Sequence, residues 1–382
     1  QYKQTSPLLM PAILRLGLLS YNGGQFENSL TYYKSVFQYN PDPETSKEAI
    51  AAIQEIYVNE LDKPDAFFDF AETIPGYSVS GSEKDSILYS AAENFYALGQ
   101  YEKAVESLQK YITEYPKGLY SLKARYLRAE SLSLIKRYDD ALIGYETVID
   151  LGQSSYYATS LYKAALIAYN QKQDMARAYK HYVAFIPLAD SEEKAYQATL
   201  GALRCAYKLQ DAEDVYAMST AVIIHPRATD DMRALANYYT AKMAYQEEKL
   251  DKALPAFNAV IKVNSAELAA ESRYFIASIY EKKGEHEVAA KLAEESARAN
   301  VGYPFWVAKS LMLLSDIQFS AGDLLNARAI MEAITENFQG DEVIMKEATE
   351  KLDRIKKEEE AQSRIKPQGG DTLELQQNPK KD

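Results

Sequence analysis

Asp85–Pro116, DSILYSAAENFYALGQYEKAVESLQKYITEYP, has the pattern of two amphipathic helices joined by a tight turn. Apolar or small residues fall at Leu88, Ala91, Ala92, Phe95 and Tyr96, the three-and-four spacing that gathers one face of a helix. The pattern breaks at Gly99 within ALGQY and resumes at Ala104, Val105, Leu108, Tyr111 and Ile112. It stops at Pro116, which lacks the N–H that a continuing helix needs.

The residues that follow repeat the design with Tyr126, Leu127 and Ala129, then Tyr138, Ala141, Leu142, Tyr145, Val148 and Ile149. Working outward, the small residue that opens each second helix is Ser29, Ala66, Ala104, Ala141, Ala178, Val215, Ala253, Ala289 and Ala327. The intervals are 37, 38, 37, 37, 37, 38, 36 and 38 residues. A fixed period of this size signals a solenoid, and one this constant over nine units is not accidental.

The small residues have a packing reason. Where the two helices of a hairpin cross closely, a side chain larger than Ala would push the axes apart. Ala92, Ala129, Ala241 and Ala277 on first helices are therefore expected to face Ala104, Ala141, Ala253 and Ala289 on second helices. Aromatic residues such as Tyr33, Phe70, Tyr145, Tyr182 and Phe257 are expected to fill the wider gaps toward the neighbouring unit.

A small residue, an aromatic closing the first helix, a Gly-aromatic turn, Ala, an aromatic and then Pro: this order resembles the tetratricopeptide repeat (TPR). The resemblance covers roughly residues 8–355. It implies an all-α fold, a TPR superhelical solenoid of about nine helix-turn-helix repeats. The repeat here averages just over 37 residues, against the usual 34, and long connections such as YPKGLYSL (115–122) and HPRATDDM (225–232) hold the excess. In this the chain is similar to multi-TPR proteins of the Gram-negative cell envelope, the TolA-binding proteins and the outer-membrane-assembly lipoprotein. That likeness implies a periplasmic or outer-membrane-associated setting and association with outer-membrane proteins, the alternative being cytoplasmic.

The organisation expected is a TPR array over 1–340, a C-terminal capping helix over 341–362 and a disordered tail over 363–382. Residues 341–362 keep helical periodicity at Val343, Ile344, Ala348, Leu352 and Ile355 while growing charged, as a polar cap should. The tail has Pro, paired Gly and little apolar content. At the other end Leu8, Leu9, Ile13 and Leu14 open the first repeat with nothing polar before it. That end reads as uncapped and packed on an upstream repeat; with Gln1 in first place, the chain reads as a processed product or a piece of something longer.

Composition narrows the function. The 382 residues are 47% hydrophobic and 26% charged, enough apolar content for a sizeable core. A net charge of −12 disfavours nucleic acid and anionic lipid as partners. No apolar run approaches the ~18 residues that span a bilayer, so no membrane insertion is expected. One cysteine, Cys205, leaves no disulfide framework or cysteine zinc cluster; it reads as a small buried hydrophobe on GALRCAYKL. His181, His225 and His286 fall in three different units with no metal-ligand spacing between any pair. No phosphate-cradling loop is present. The expectation is no catalytic residue, no metal and no cofactor, hence not an enzyme.

Tyrosine is what stands out, at 31 residues. Let the close-packed small residue of each first helix, Ala92 in the unit quoted above, be position 8. Position 5 is then Tyr89, Tyr126, Tyr162, Tyr238 and Tyr274, and position 12 is Tyr21, Tyr96, Tyr169 and Tyr245, with Phe319 in a fifth unit. The resemblance places both positions on the concave side. Tyr combines apolar area, a hydrogen-bonding tip and few rotors to freeze, which suits a binding groove. The candidate partner-binding residues are Tyr89, Tyr96, Tyr126, Tyr162, Tyr169, Tyr238, Tyr245 and Tyr274; the competing reading is that they pack helices. Chaperone-adaptor TPRs carry Lys at position 5 and Asn at positions 6 and 9; with Tyr at position 5 and Glu93, Glu130 and Lys242 at position 9, that carboxylate clamp is absent. The expected function is a protein-interaction scaffold for a protein or peptide segment, probed against two alternatives: an architectural or self-associating part of a larger multi-repeat protein and, ranked last, an enzyme with a site in the groove.

Overall fold

The computed structural model describes residues 7–263, 266–338 and 341–365, and among these it contains nineteen α-helices and no strand. The expected tail from residue 366 onward lies outside the described residues. The chain divides into two compact units, residues 1–201 and 202–382.

In the first unit the hairpins are α1 (Leu9–Asn22) with α2 (Phe26–Ser35), α3 (Pro43–Glu55) with α4 (Pro64–Glu72), α5 (Gly81–Ala97) with α6 (Tyr101–Glu114), α7 (Ser121–Leu134) with α8 (Tyr138–Asp150), and α9 (Tyr157–Ile167) with α10 (Met175–Phe185). Helix α11 (Glu192–Leu209) carries the division. The second unit holds α12 (Ala212–Ile224), then α13 (Asp230–Gln246) with α14 (Leu250–Val263), α15 (Glu267–Lys282) with α16 (His286–Ala299), α17 (Pro304–Ser320) with α18 (Leu324–Asn337), and finally α19 (Glu342–Ile365).

Helix α5 shows why these sequences fold this way. Ser80 accepts from the Glu83 N–H at 3.3 Å while the Glu83 carboxylate accepts from the Ser80 N–H at 2.7 Å, a reciprocal cap that starts the helix. Leu88, Ala91, Ala92 and Phe95 are buried, as the spacing predicts, and so is Tyr89. Gly99 turns the chain with φ +72°, and α6 buries Ala104, Val105, Leu108, Tyr111 and Ile112. Full burial of a residue such as Leu108 stabilises by roughly 1.5–3 kcal/mol.

The close approach of hairpin helices lies where the small residues put it. Ala92, Ala104, Ala129, Ala141, Ala241, Ala253, Ala277 and Ala289 have no exposed surface. Serine at the same level stitches the two helices. Ser29 Oγ donates to the Gly17 carbonyl at 2.8 Å, and Ser315 Oγ donates to the Ala327 carbonyl at 2.8 Å. The aromatics are seated more closely than expected: a Cβ on Gly17 would stand 2.8 Å from the Tyr33 ring, and one on Gly201 would stand 2.7 Å from the Tyr182 ring. These rings lie on glycines and not merely in a gap.

Two first helices depart from the pattern. A five-residue π-turn, Ile56–Glu60, follows α3, and another, Ala168–Lys172, follows α9. The last helix, α19, buries Ile344, Ala348, Leu352 and Ile355. It runs three residues past the expected end of the cap, and Val343 is 65% exposed instead of sharing the buried face.

Candidate functional site

Within each unit, successive first helices touch one another: α5 meets α7, α13 meets α15, α15 meets α17 and α17 meets α19. Among the described residues no pair of second helices packs comparably. The first helices therefore line the tighter, inner side of each unit, and positions 5, 9 and 12 lie along it.

The position-5 tyrosines are packed more than they are displayed. Tyr89 is only 2% exposed; its ring stacks on Tyr120 at 4.4 Å and meets Tyr111 edge-on at 5.6 Å. Tyr238 is 8% exposed, beside a stacked pair, Tyr207 and Tyr239, 3.9 Å apart. Tyr126, Tyr162 and Tyr274 are half-buried. Tyr126 stacks on Tyr156 at 4.7 Å, Tyr162 leans on Phe185 at 4.8 Å, and Tyr274 sits 5.7 Å from Trp306. Tyr120 and Tyr156 directly precede α7 and α9, so the connection into each of these repeats covers the tyrosine of the one before.

All of position 12 is half-buried. The Tyr21 hydroxyl donates to Glu60 at 2.8 Å, and this bond pushes its pKa up to about 12. Tyr245 and Ser278 share a 2.8 Å hydrogen bond, with the Lys282 ammonium 4.5 Å from the Tyr245 ring centre. Tyr96 contacts Tyr101 edge-on at 5.8 Å, and Tyr169 meets Tyr182 at 6.5 Å. Burial raises the phenol pKa of Tyr274 to about 12 and those of Tyr89, Tyr126 and Tyr238 further still. These phenols stay neutral at physiological pH and can donate hydrogen bonds.

Position 9 supplies charge, and sequence reasoning missed how it is used. Glu93 pairs with Lys123 at 2.6 Å, Glu130 with Lys163 at 3.3 Å, and Lys242 with Glu271 at 2.8 Å, each across two neighbouring first helices. Asp316 pairs with Lys351 in the same manner. Lys123 also lies over the Tyr89 ring and Lys242 over the Phe275 ring, at 5.4 and 4.1 Å. The inner face is thus a lattice of aromatic edges, neutral hydroxyls and paired charges. The Glu93–Lys123 pair, more than a third exposed on both sides, contributes at most about 1 kcal/mol and can be exchanged at little cost, whereas Lys242–Glu271 is largely buried and loses far more if one partner is removed.

Elsewhere, a cleft of about 440 Å³ opens between the start of α4 and the α5–α6 hairpin, lined by Asp62, Asp65, Leu88, Glu106 and Lys110. Lys110 binds Asp65 at 2.6 Å, and burial raises the pKa of Asp62. His181 is buried and bonded to Glu146 at 2.9 Å, a structural pairing that spacing did not suggest. His225 is half-buried, His286 is exposed, and Cys205 is fully buried. Among the described residues no three His, Cys, Asp or Glu side chains gather as metal ligands, and no helix is long and apolar enough to cross a membrane.

Family models described as tetratricopeptide repeat match residues 11–43 and 86–118, and a second model of that description matches residues 233–304. No curated protein matches the chain. Among solved structures, the C-terminal part of a TPR repeat-containing protein from Cytophaga hutchinsonii is 15% identical, with 69% of this chain and 99% of that one covered and a TM-score of 0.44. A tetratricopeptide repeat protein from Parabacteroides merdae is 15% identical over 72% of this chain and 99% of its own, with a TM-score of 0.34. The TPR2AB domain of yeast Sti1, solved with pHSP90, is 13% identical over 72% of this chain and 100% of its own, with a TM-score of 0.33.

Proposed function

We propose, for a chain that is built of tetratricopeptide repeats and is therefore a protein-interaction scaffold, that a segment of another protein is held against the inner face of the first helices. The half-buried tyrosines Tyr126, Tyr162 and Tyr274 at position 5 and Tyr96, Tyr169 and Tyr245 at position 12 make the contact. Tyr89 and Tyr238 support it from beneath. One observation carries this reading: in three repeats an inward tyrosine, Tyr89, Tyr126 or Tyr238, stands beside an ion pair that joins neighbouring first helices. At the half-exposed Glu93–Lys123 pair a partner can take the place of the lysine over the Tyr89 ring without stranding a buried charge.

We assign the chain no catalysis, no cofactor and no nucleic acid. The setting we propose is the Gram-negative envelope, periplasmic or outer-membrane-associated, with outer-membrane proteins as partners; it rests on the repeat length and its resemblance to envelope TPR proteins. The test is capture from source cells with the full chain as bait, followed by mass spectrometry and by affinity measurement on Tyr126→Ala, Tyr162→Ala and Tyr274→Ala combined. Loss of affinity with the fold intact supports the inner face. Unchanged affinity removes it, and captured proteins drawn from the cytoplasm alone remove the envelope setting.

A further inference from the structure

Positions 4 and 7 of a first helix form the floor of an outer groove, walled by the second helices on either side. They are Leu88 and Ala91 in the cleft between α4 and α6, and Arg273 and Ile276 in a second cleft, of about 260 Å³, between α14 and α16. In α7, which packs on both α6 and α8, they are Arg125 and Arg128, one turn apart and turned away from the inner positions. Both arginines are half-buried, and among the described residues neither has a hydrogen bond or an ion pair; the Arg128 Nε is shut off from solvent with no acceptor. Burial lowers the pKa of this guanidinium, Asp140 opposes the change, and Arg137 and Arg125 add to it. Asp140 is itself bound by Arg137, whose Nε donates to it at 2.9 Å. Three guanidiniums thus share one carboxylate, an excess of positive charge on a chain of net charge −12. The α15 repeat shows what is missing. There Arg273 Nη1 donates to Asn300 Oδ1 at 3.0 Å. Asn300 stands eleven residues after Ala289, whereas eleven residues after Ala141 stands Gly152, with no side chain to offer.

We infer that Arg125 and Arg128 receive a carboxylate from an acidic segment of a protein partner, seated in the outer groove between α6 and α8. A guanidinium shielded from water is destabilising until something accepts its N–H groups. Its planar fork matches a carboxylate through two parallel hydrogen bonds. The source is a protein segment and not a free anion, because the groove wall adds apolar area beside the charge. Ile143, 59% exposed, stands on α8 at the place where the α4–α6 cleft has Glu106. No residue of positions 5, 9 or 12 takes part, so this site is independent of the inner face.

Fluorescence anisotropy of a dye-labelled hexaglutamate peptide, titrated with the full chain, tests this. Saturable binding is expected, weakened at least about tenfold by Arg128→Met, which removes charge-assisted hydrogen bonds. Arg128→Lys should weaken it too, since lysine keeps the charge and loses the fork. Arg204→Met, at an exposed arginine on α11, should leave it unchanged. Arg128→Met should melt no lower than the parent, because methionine keeps the apolar stem and removes the unpaired guanidinium. A peptide that does not bind, or that binds Arg128→Met or Arg128→Lys as tightly as the parent, overturns the proposal. So does a lower melting temperature for Arg128→Met, which would make the arginine part of the fold. Competition by inorganic phosphate as effective as that of unlabelled peptide also overturns it, since the site would then serve a free anion.

Discussion

Gly99 and Lys136 hold the same left-handed backbone conformation in successive hairpin turns, φ +72° and +63°. Each stands five residues before the small residue of its second helix, Ala104 and Ala141. The series runs through every repeat: Gly24, Asp62, Gly99, Lys136, Gln173, Gln210, Glu248, Gly284 and Gly322 all have positive φ. A residue with a Cβ pays about 1–2 kcal/mol for this conformation. Lys136→Gly should therefore stabilise the chain by about 0.5–1 kcal/mol once the added freedom of the unfolded state is deducted. Gly99→Ala should cost about 1 kcal/mol. Chemical denaturation decides both, and a destabilising Lys136→Gly would mean that the lysine's own contacts outweigh its strain.

The α7–α8 hairpin gives a sharper test of packing. A Cβ on Gly144 would stand 2.9 Å from the Ala129 Cβ, so the helices touch with no room for a methyl group. Ala141→Leu, one turn away and fully buried, should cost roughly 1–3 kcal/mol by overpacking. Ile143→Ala, at a residue 59% exposed between them, should stay within about 0.5 kcal/mol. Comparable losses at Ala141 and Ile143 in urea denaturation would contradict the close approach.

Much of this architecture is legible in the sequence because a repeat states its design nine times. Anchors from Ser29 to Ala327 mark second helices at a constant interval, and the alanines they predict as contacts are buried. The turns are harder to see, since only four of the nine left-handed residues are glycine; Lys136 or Glu248 betrays nothing by its type. The π-turns after α3 and α9 leave no local signal either. For the inner face, spacing tells which side a tyrosine takes but not what lies on it. Tyr120 covers Tyr89 because the connection YPKGLYSL folds back over the ring, and that depends on a chain path no periodicity reports.

Cys205 offers a measurement of core integrity. It is fully buried, and burial lifts its thiol pKa from 9.0 to about 11. The native chain should react with a thiol reagent at neutral pH only as fast as it opens, because the nucleophile is the thiolate. The sign for stability follows: the folded state disfavours the thiolate, so this contribution is complete below the unfolded pKa. It falls as pH rises from about 9 toward 11. Rapid labelling of the native chain at neutral pH would show the site to be open.

The inner-face tyrosines separate packing from binding. Tyr126, Tyr162 and Tyr274 are half-buried, and truncating a fully buried aromatic to Ala costs ~3–5 kcal/mol. Each of these should cost less in folding than Tyr89→Ala, whose ring is enclosed by Tyr120, Tyr111 and the Lys123 ammonium. Anchoring aromatics in an interface commonly cost 2 kcal/mol or more on truncation, so the triple variant should lose captured-partner affinity by well over a hundredfold while still unfolding cooperatively. Stability and affinity must be read on the same sample. Tyr→Phe at the three positions refines the result, since it keeps the apolar area and removes only the hydroxyl. A partner recognised through those hydroxyls is released by Phe as well as by Ala. A triple Ala variant that binds as tightly as the parent and unfolds earlier would assign the row to packing alone, and the partner would then have to be sought on the outer faces of the second helices.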